Sequence, residues 1–188
     1  MKKEWLIIGA IALVLIIGFF WNKNNNPQTQ EGENVPESEE IIVQQDGQLV
    51  KKTGDVVQVL SQEEKEAKKQ EIDTNLIDAT SRQLKAEPNQ IGSGNYKSIY
   101  KDGNFYEKIE LTGMEPLQKG YYYEAWLKKS EGIDQTISIG RVEMNGDSGE
   151  LLYSSKDDKS SYNQVLITRE IEDGNQAMGE IVLSSRSE

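Results

Sequence analysis

Three regimes of apolar and polar positions succeed one another along the chain. The first is an apolar run from Trp5 to Trp21 that no charge interrupts. At about 1.5 Å per residue its 17 residues make a helix of roughly 25 Å, which crosses a hydrocarbon core with little tilt. Residues 5–21 are therefore expected to form a transmembrane helix. Trp5 and Trp21 would sit at the two headgroup levels, and Lys2 and Lys3 would hold residues 1–4 in the cytoplasm. A cleaved signal peptide begins in the same way. This run, however, ends in Phe19, Phe20 and Trp21 with no small-residue cleavage pattern, which favours an uncleaved anchor.

The second regime, residues 22–60, reads as a disordered linker. Residues 22–40 carry almost no apolar side chain and cannot bury enough surface to offset their ordering entropy. Residues 41–45 and 48–52 flank Asp46-Gly47, a two-residue hairpin signal, but an isolated two-stranded hairpin is marginal in water. Ser61, followed by Glu64 in the capping-box pattern, then starts a helix expected to run over residues 61–87 and to stop before Pro88. Its apolar positions, Ala67, Ile72, Leu76 and Leu84, are too sparse for a heptad seam, so a lone solvated stalk or a helix leaning on the next domain is expected rather than a coiled coil.

From residue 91 to 186 short apolar runs alternate with glycine turns roughly every ten residues, the spacing of an antiparallel β-sandwich. Residues 96–100 and 104–111 flank Asp102-Gly103 as a hairpin, with Phe105, Ile109 and Leu111 on one face. Residues 121–127 form an aromatic-rich strand whose two faces both read as apolar, as a central strand requires. Ile137 and Ile139 share one parity and Val142 and Met144 the other, which predicts a bulge near Gly140. Residues 151–153, 163–169 and 180–184 supply the remaining strands. The fold class is thus mainly β: an anchor, a flexible stalk with one helix, and a C-terminal sandwich.

Charge and composition narrow the chemistry. The chain has 21 Lys and Arg against 32 Asp and Glu, and beyond the anchor 19 against 31, a net −12. Such a surface repels phosphate backbones, and no basic stripe offers a nucleic-acid site. Cysteine and histidine are both absent, which removes thiol nucleophiles, disulfides, the commonest general base and the commonest zinc ligands. Ser160, Ser161, Ser184 and Ser185 have no histidine to activate them. Paired carboxylates doing glycosidase chemistry need a cleft, which a small domain with short loops rarely offers. The acidic turns at Asp147 and Glu150 and at Asp157 and Asp158 do not match the EF-hand spacing. No catalytic residue, cofactor or metal is expected.

Trp126, a large aromatic on a central strand, is expected to be a core anchor. Tyr121, Tyr122 and Tyr123 cannot all point inward, so at least one should lie on the surface. Glu170, after an apolar run at a strand end, should pair with Arg169 or Arg141 or accept turn amides.

At Tyr123, Trp126 and Leu127, followed by Gly140 and then by Glu170 and Gly174, the chain resembles the extracytoplasmic C-terminal domain of anti-sigma-K factors. In that family a Tyr-x-x-Trp-Leu strand, a glycine in a short downstream strand and a Glu before a glycine turn recur in this order, after one transmembrane helix. Residues 174–179 depart from the family, where prolines are usual, so the last hairpin is expected to be built differently. Family members also carry a cytoplasmic sigma-binding domain before the membrane helix, often with a zinc motif. Here residues 1–4 precede the apolar run, so the resemblance implies the outer half of such a protein, with no direct sigma-factor contact. Any link to sigma-factor regulation is an analogy of domain type. The function expected is a non-catalytic, extracytoplasmic interaction or sensing domain held in the plasma membrane. It would contact the lipid bilayer through residues 5–21 and a protein partner in the cell envelope. The alternative is an envelope structural or assembly protein presenting a β domain on a stalk.

Overall fold

Period-two alternation of buried and more exposed side chains is clearest over residues 107–112 and 121–128 of the computed structural model, which describes residues 40–45, 48–129, 135–174 and 177–185. The strands are β1 (Glu40–Gln45), β2 (Gln48–Thr53), β3 (Val56–Val59), β4 (Arg82–Ala86), β5 (Ser93–Lys101), β6 (Asn104–Thr112), β7 (Tyr121–Lys128), β8 (Thr136–Arg141), β9 (Glu143–Asn145), β10 (Ser148–Ser155), β11 (Gln164–Ile171) and β12 (Glu180–Ser184). One helix, α1 (Gln62–Asn75), interrupts them. All belong to one compact unit, Glu37–Glu188. The expected anchor at residues 5–21, residues 22–39 of the tether expected over 22–40, and the Asp46-Gly47 turn lie outside the described residues. Among the described residues no helix is long and apolar enough to cross a membrane.

The fold is mainly β, but the expected sandwich of two sheets is corrected to one sheet. Its strand order is β3-β2-β1-β8-β7-β11-β12-β4-β5-β6-β10-β9, and a further pairing of β1 with β10 closes the strands from β1 to β10 into a ring, with β2–β3 and β9 outside it. β1 makes this closure because one of its edges is shared: Ile41 and Ile42 pair antiparallel with Ser155 and Ser154 of β10, while Gln44 pairs parallel with Gly140 of β8. Its other edge carries the whole β2 register, from Glu40↔Thr53 to Gln45↔Gln48. Closing a sheet in this way satisfies edges that would otherwise stand open.

The expected domain boundaries shift accordingly. Residues 41–45, 48–53 and 56–59 are not linker but strands of the same sheet, and Ile42, Val43, Leu49 and Val50 are buried in it. A hairpin marginal alone is stable here because β8 and β10 supply its third and fourth strands.

The expected helix over 61–87 is shorter. Ser61 caps it as predicted, accepting from the Glu64 amide while the Glu64 carboxylate takes the Ser61 amide at 2.8 Å, but α1 ends at Asn75 with Leu76 at its C-cap. Residues 82–86 are β4 instead, with Leu84 in the core. Of the two expected arrangements, α1 leans on the β domain rather than standing as a solvated stalk. Ile72 and Leu76 pack with Ile42, Leu49, Tyr106 and Leu152 on the outer side of β1, β2, β6 and β10. Lys65, Lys69 and Asp73, spaced four apart on one stripe, reach Glu143 at 3.0 Å, Glu150 at 2.6 Å and Lys108 at 2.9 Å. Burial works against the Lys108 charge, but the Asp73 hydrogen bond and the charges of Asp73, Glu110 and Glu150 outweigh it and hold the ammonium above its ordinary range.

The Asp102-Gly103 hairpin forms as predicted, with φ of 52° and 79° at the two turn residues, the positive pair a tight type I′ turn needs. The predicted bulge is present too: Trp126 pairs with Ser138 and Ala125 with Gly140, leaving Ile139 as the extra residue. Gly140, at φ 117°, is where β1 comes closest. A Cβ there would stand 2.5 Å from the Gln44 carbonyl oxygen and 2.6 Å from a Val43 methyl.

Candidate functional site

The strand ends that flank the β6–β7 and β11–β12 connections enclose a cleft of about 500 Å³. Its walls come from residues 115–118, Tyr121, residues 169–171, Asp173 and residues 177–180. The β7–β11 ladder sets its mouth, because its last pair is Tyr121↔Ile171. Both residues are exposed, Tyr121 at 40 % and Ile171 at 53 %, so one of the three consecutive tyrosines is on the surface as expected.

Arg169 organises one side. Its guanidinium bonds Glu115 at 2.9 Å and also Glu180, whose other oxygen accepts from the Gln90 amide nitrogen at 2.8 Å. The Glu180 hydrogen bond holds the Arg169 guanidinium above its ordinary range despite some burial. Its charge is thereby already met by two carboxylates. Tyr123 steadies the same wall from below, buried at 1 % exposure with its hydroxyl donating to the Glu115 carbonyl at 2.9 Å.

Glu170 points the other way along β11 and is 5 % exposed. One carboxyl oxygen accepts the Gly179 amide at 2.8 Å and a short bond from the Thr168 hydroxyl. The expected turn amide is therefore present, but the expected arginine partners are not. Arg169 serves Glu115 and Glu180, while Arg141 lies 3.6 Å from the Tyr122 ring centroid and 3.6 Å from Glu172. Gly179 must be small, since a Cβ would stand 2.5 Å from the Arg169 carbonyl oxygen and 2.6 Å from the Glu170 carboxyl. Glu170 thus lines the cleft as a buried carboxyl held by neutral donors, with no cation bonded to it among the described residues.

Trp126 corrects its expectation. Tyr123, Ala125 and Leu127 of β7 face the core, so Trp126, of the opposite parity, lies half-buried on the outer face beside Tyr122 and Glu124. Its indole nitrogen donates to Thr168 Oγ1 at 2.9 Å. This joins it to the chain that runs from Thr168 to Glu170, so the outer face of β7 and β11 carries a polar network beside the buried Leu166 that pairs with Trp126. Burial pushes the neighbouring Glu124 carboxyl up against the hydrogen bond from Ser138, and the charge of Glu170 adds to the rise. Of the six motif residues, Tyr123 and Leu127 are core, Trp126 and Glu170 belong to this network, and Gly140 serves the β1 junction. Gly174 sits at φ 78° in the β11–β12 connection with open space around it.

One residue escaped sequence reasoning. Glu107 shares the inward parity of Phe105, Ile109 and Leu111 on β6 and is 1 % exposed, opposite Tyr153 of β10 and Ser98 of β5. One of its carboxyl oxygens has no hydrogen-bond partner. Burial pushes the carboxyl up to about 8, opposed by the charge of Arg82, whose guanidinium lies 5.8 Å from the Tyr96 ring centroid at the start of β4. The alternation of β6 by itself places residue 107 inside, so the parity of the strand was the available signal.

No protein-family model, no curated protein and no solved structure matches this chain.

Proposed function

We propose that the chain is a non-catalytic interaction or sensing module, held in the plasma membrane by residues 5–21 with its β domain outside the cytoplasm. Its domain type is that of the outer part of an anti-sigma-K factor. The observation that carries the interaction reading is the cleft whose mouth is the exposed Tyr121–Ile171 pair. Large apolar side chains are held in solvent at the rim of a concavity lined by a buried carboxyl. Histidine and cysteine are absent from the sequence, and the arginine in the cleft is held by two structural carboxylates, which supports recognition over catalysis. The sigma link remains an analogy, carried by the order of Tyr123, Trp126, Leu127, Gly140, Glu170 and Gly174.

Two measurements test this. The full chain should stay in the membrane pellet after alkaline extraction, with its C-terminus open to protease added from outside; release of a form lacking residues 1–21 refutes the anchor. Residues 37–188 used as bait should retain a specific envelope protein that Ile171→Arg bait loses, and retention unchanged by that substitution refutes the cleft as the contact.

A second reading, an envelope assembly protein, is favoured by β3. Val56, Val57 and Val59 are 68 %, 56 % and 52 % exposed on a strand that pairs only with β2 among the described residues. An uncharged edge of this kind accepts a further strand. Assembly through it should be abolished by Val57→Lys and left intact by Ile171→Arg.

A further inference from the structure

We infer that the cleft receives a basic side chain, a lysine or arginine flanked by aliphatic residues in an extended segment of the partner protein. The inference rests on the interaction reading and specifies the chemistry that fills its site.

The charge argument comes from what is already neutralised. Arg169, the one base among the lining residues, has two carboxylates on its guanidinium, so it offers little to an incoming anion. Glu170 has the opposite character: nine-tenths buried, lining the cleft, held by the Gly179 amide and the Thr168 hydroxyl, and bonded to no cation among the described residues. A carboxyl sequestered from water gains most from a cation that arrives already partly desolvated, which is how a side chain enters a cleft. Counted over the lining, the carboxylates of Glu115, Glu170, Asp173 and Glu180 outnumber the one guanidinium, so the cleft carries a net negative charge.

The apolar surface then selects among cations. Leu117 and Met178 line the walls and Tyr121 and Ile171 the mouth, so the occupant presents hydrocarbon around its charge. The aliphatic stem of lysine or arginine does this, and neighbouring aliphatic residues extend it over the rim. A bare metal ion does not suit the donor set, because among the described residues no three acidic groups converge as ligands. About 500 Å³ also exceeds the needs of a single small cation and suits a side chain together with its neighbours.

The test uses the full chain in nanodiscs of zwitterionic lipid, which give a basic peptide no anionic surface. The probe is a fluorescein-labelled pentapeptide, Ser-Val-Lys-Val-Ser, followed by anisotropy beside a peptide with norleucine in place of lysine. The lysine peptide should bind at least tenfold more tightly than the norleucine peptide. Glu170→Gln, which keeps an acceptor for the Gly179 amide, should weaken it at least tenfold, and Glu63→Gln on α1, the same change of charge, by less than twofold. Ile171→Arg changes an exposed residue and keeps the test decisive should Glu170→Gln misfold; it should also weaken binding at least tenfold. Equal effects of Glu63→Gln and Ile171→Arg mean that the peptide reads only net acidity, which overturns the inference. Spermidine displacing the peptide with the same dependence on Glu170 and Ile171, and at lower concentration, identifies a free polyamine and overturns it too. If no peptide binds but the bait still retains an Ile171-dependent partner, the inference falls and the interaction reading stands.

Discussion

Replacing Glu107 with Gln isolates the energetic cost of one buried carboxyl. In the unfolded chain the group ionises near its ordinary value of 4.5, whereas in the fold burial pushes it up to about 8. Between these values the unfolded chain has released a proton that the folded domain still holds. The unfolded state therefore binds fewer protons, and stability must fall as pH rises through that window. Below about pH 4.5 the group is neutral in both states and has no effect. At about 1.4 kcal/mol per pH unit, the loss is about 3 kcal/mol between pH 5 and 7.5 and roughly 5 kcal/mol once the folded group has ionised as well. Gln at this position cannot ionise. Urea unfolding of residues 37–188, followed by far-ultraviolet circular dichroism from pH 5 to 9, should show the variant gaining on the parent by about 3 kcal/mol between pH 5 and 7.5. The slope of the difference matters rather than its offset at pH 5, where the unpaired amide of Gln carries its own desolvation cost. The many exposed carboxylates titrate alike in both proteins and cancel. A difference that stays flat over this range would refute the argument, because Glu107 would then ionise at the same pH folded and unfolded.

Further expectations follow from the closure, the helix and the outer face. Gly140→Ala forces a Cβ into the Gln44 carbonyl at an unfavourable φ and should cost about 2 kcal/mol or more, with faster amide exchange in β1 as the local sign. Ile72→Ala should cost about 2–5 kcal/mol in chemical denaturation, because Ile72 is fully buried under α1. Lys65→Ala should cost under about 1 kcal/mol, since its ion pair with Glu143 is partly solvated. Trp126 is the only tryptophan in residues 37–188, and its emission should be quenched by iodide more readily than that of a core indole. Trp126→Phe should cost about 1 kcal/mol, the worth of the bond to Thr168, and a loss of 3 kcal/mol or more would restore the core reading.

The elements that were legible were those specified by neighbours in the chain. The capping box at Ser61, the Asp102-Gly103 turn, the bulge before Gly140 and the alternation of β6 each depend on a few adjacent residues, and each formed as read. Glu107 was legible by the same rule, as an inward position occupied by a carboxyl. Trp126 was misread because its apolar character was weighed above its parity: with Tyr123, Ala125 and Leu127 inward, the strand leaves residue 126 the other face.

What the tertiary structure alone decided is where the chain's distant segments meet. Residues 41–45 and 48–52 carry only the local signal of a hairpin marginal by itself, and their strands are held because Gln44 finds Gly140 and Ile42 finds Ser154, about a hundred positions away. Glu170 becomes a cleft carboxyl because the chain returns Gly179 to it, and Arg169 is neutralised by Glu115 from another connection. Local patterns determined the elements, because backbone sterics and side-chain periodicity act within a few residues. The closure of the sheet and the charge balance of the cleft depend on pairings that only burial across the whole unit makes favourable, since that burial must outweigh the entropy of closing long loops.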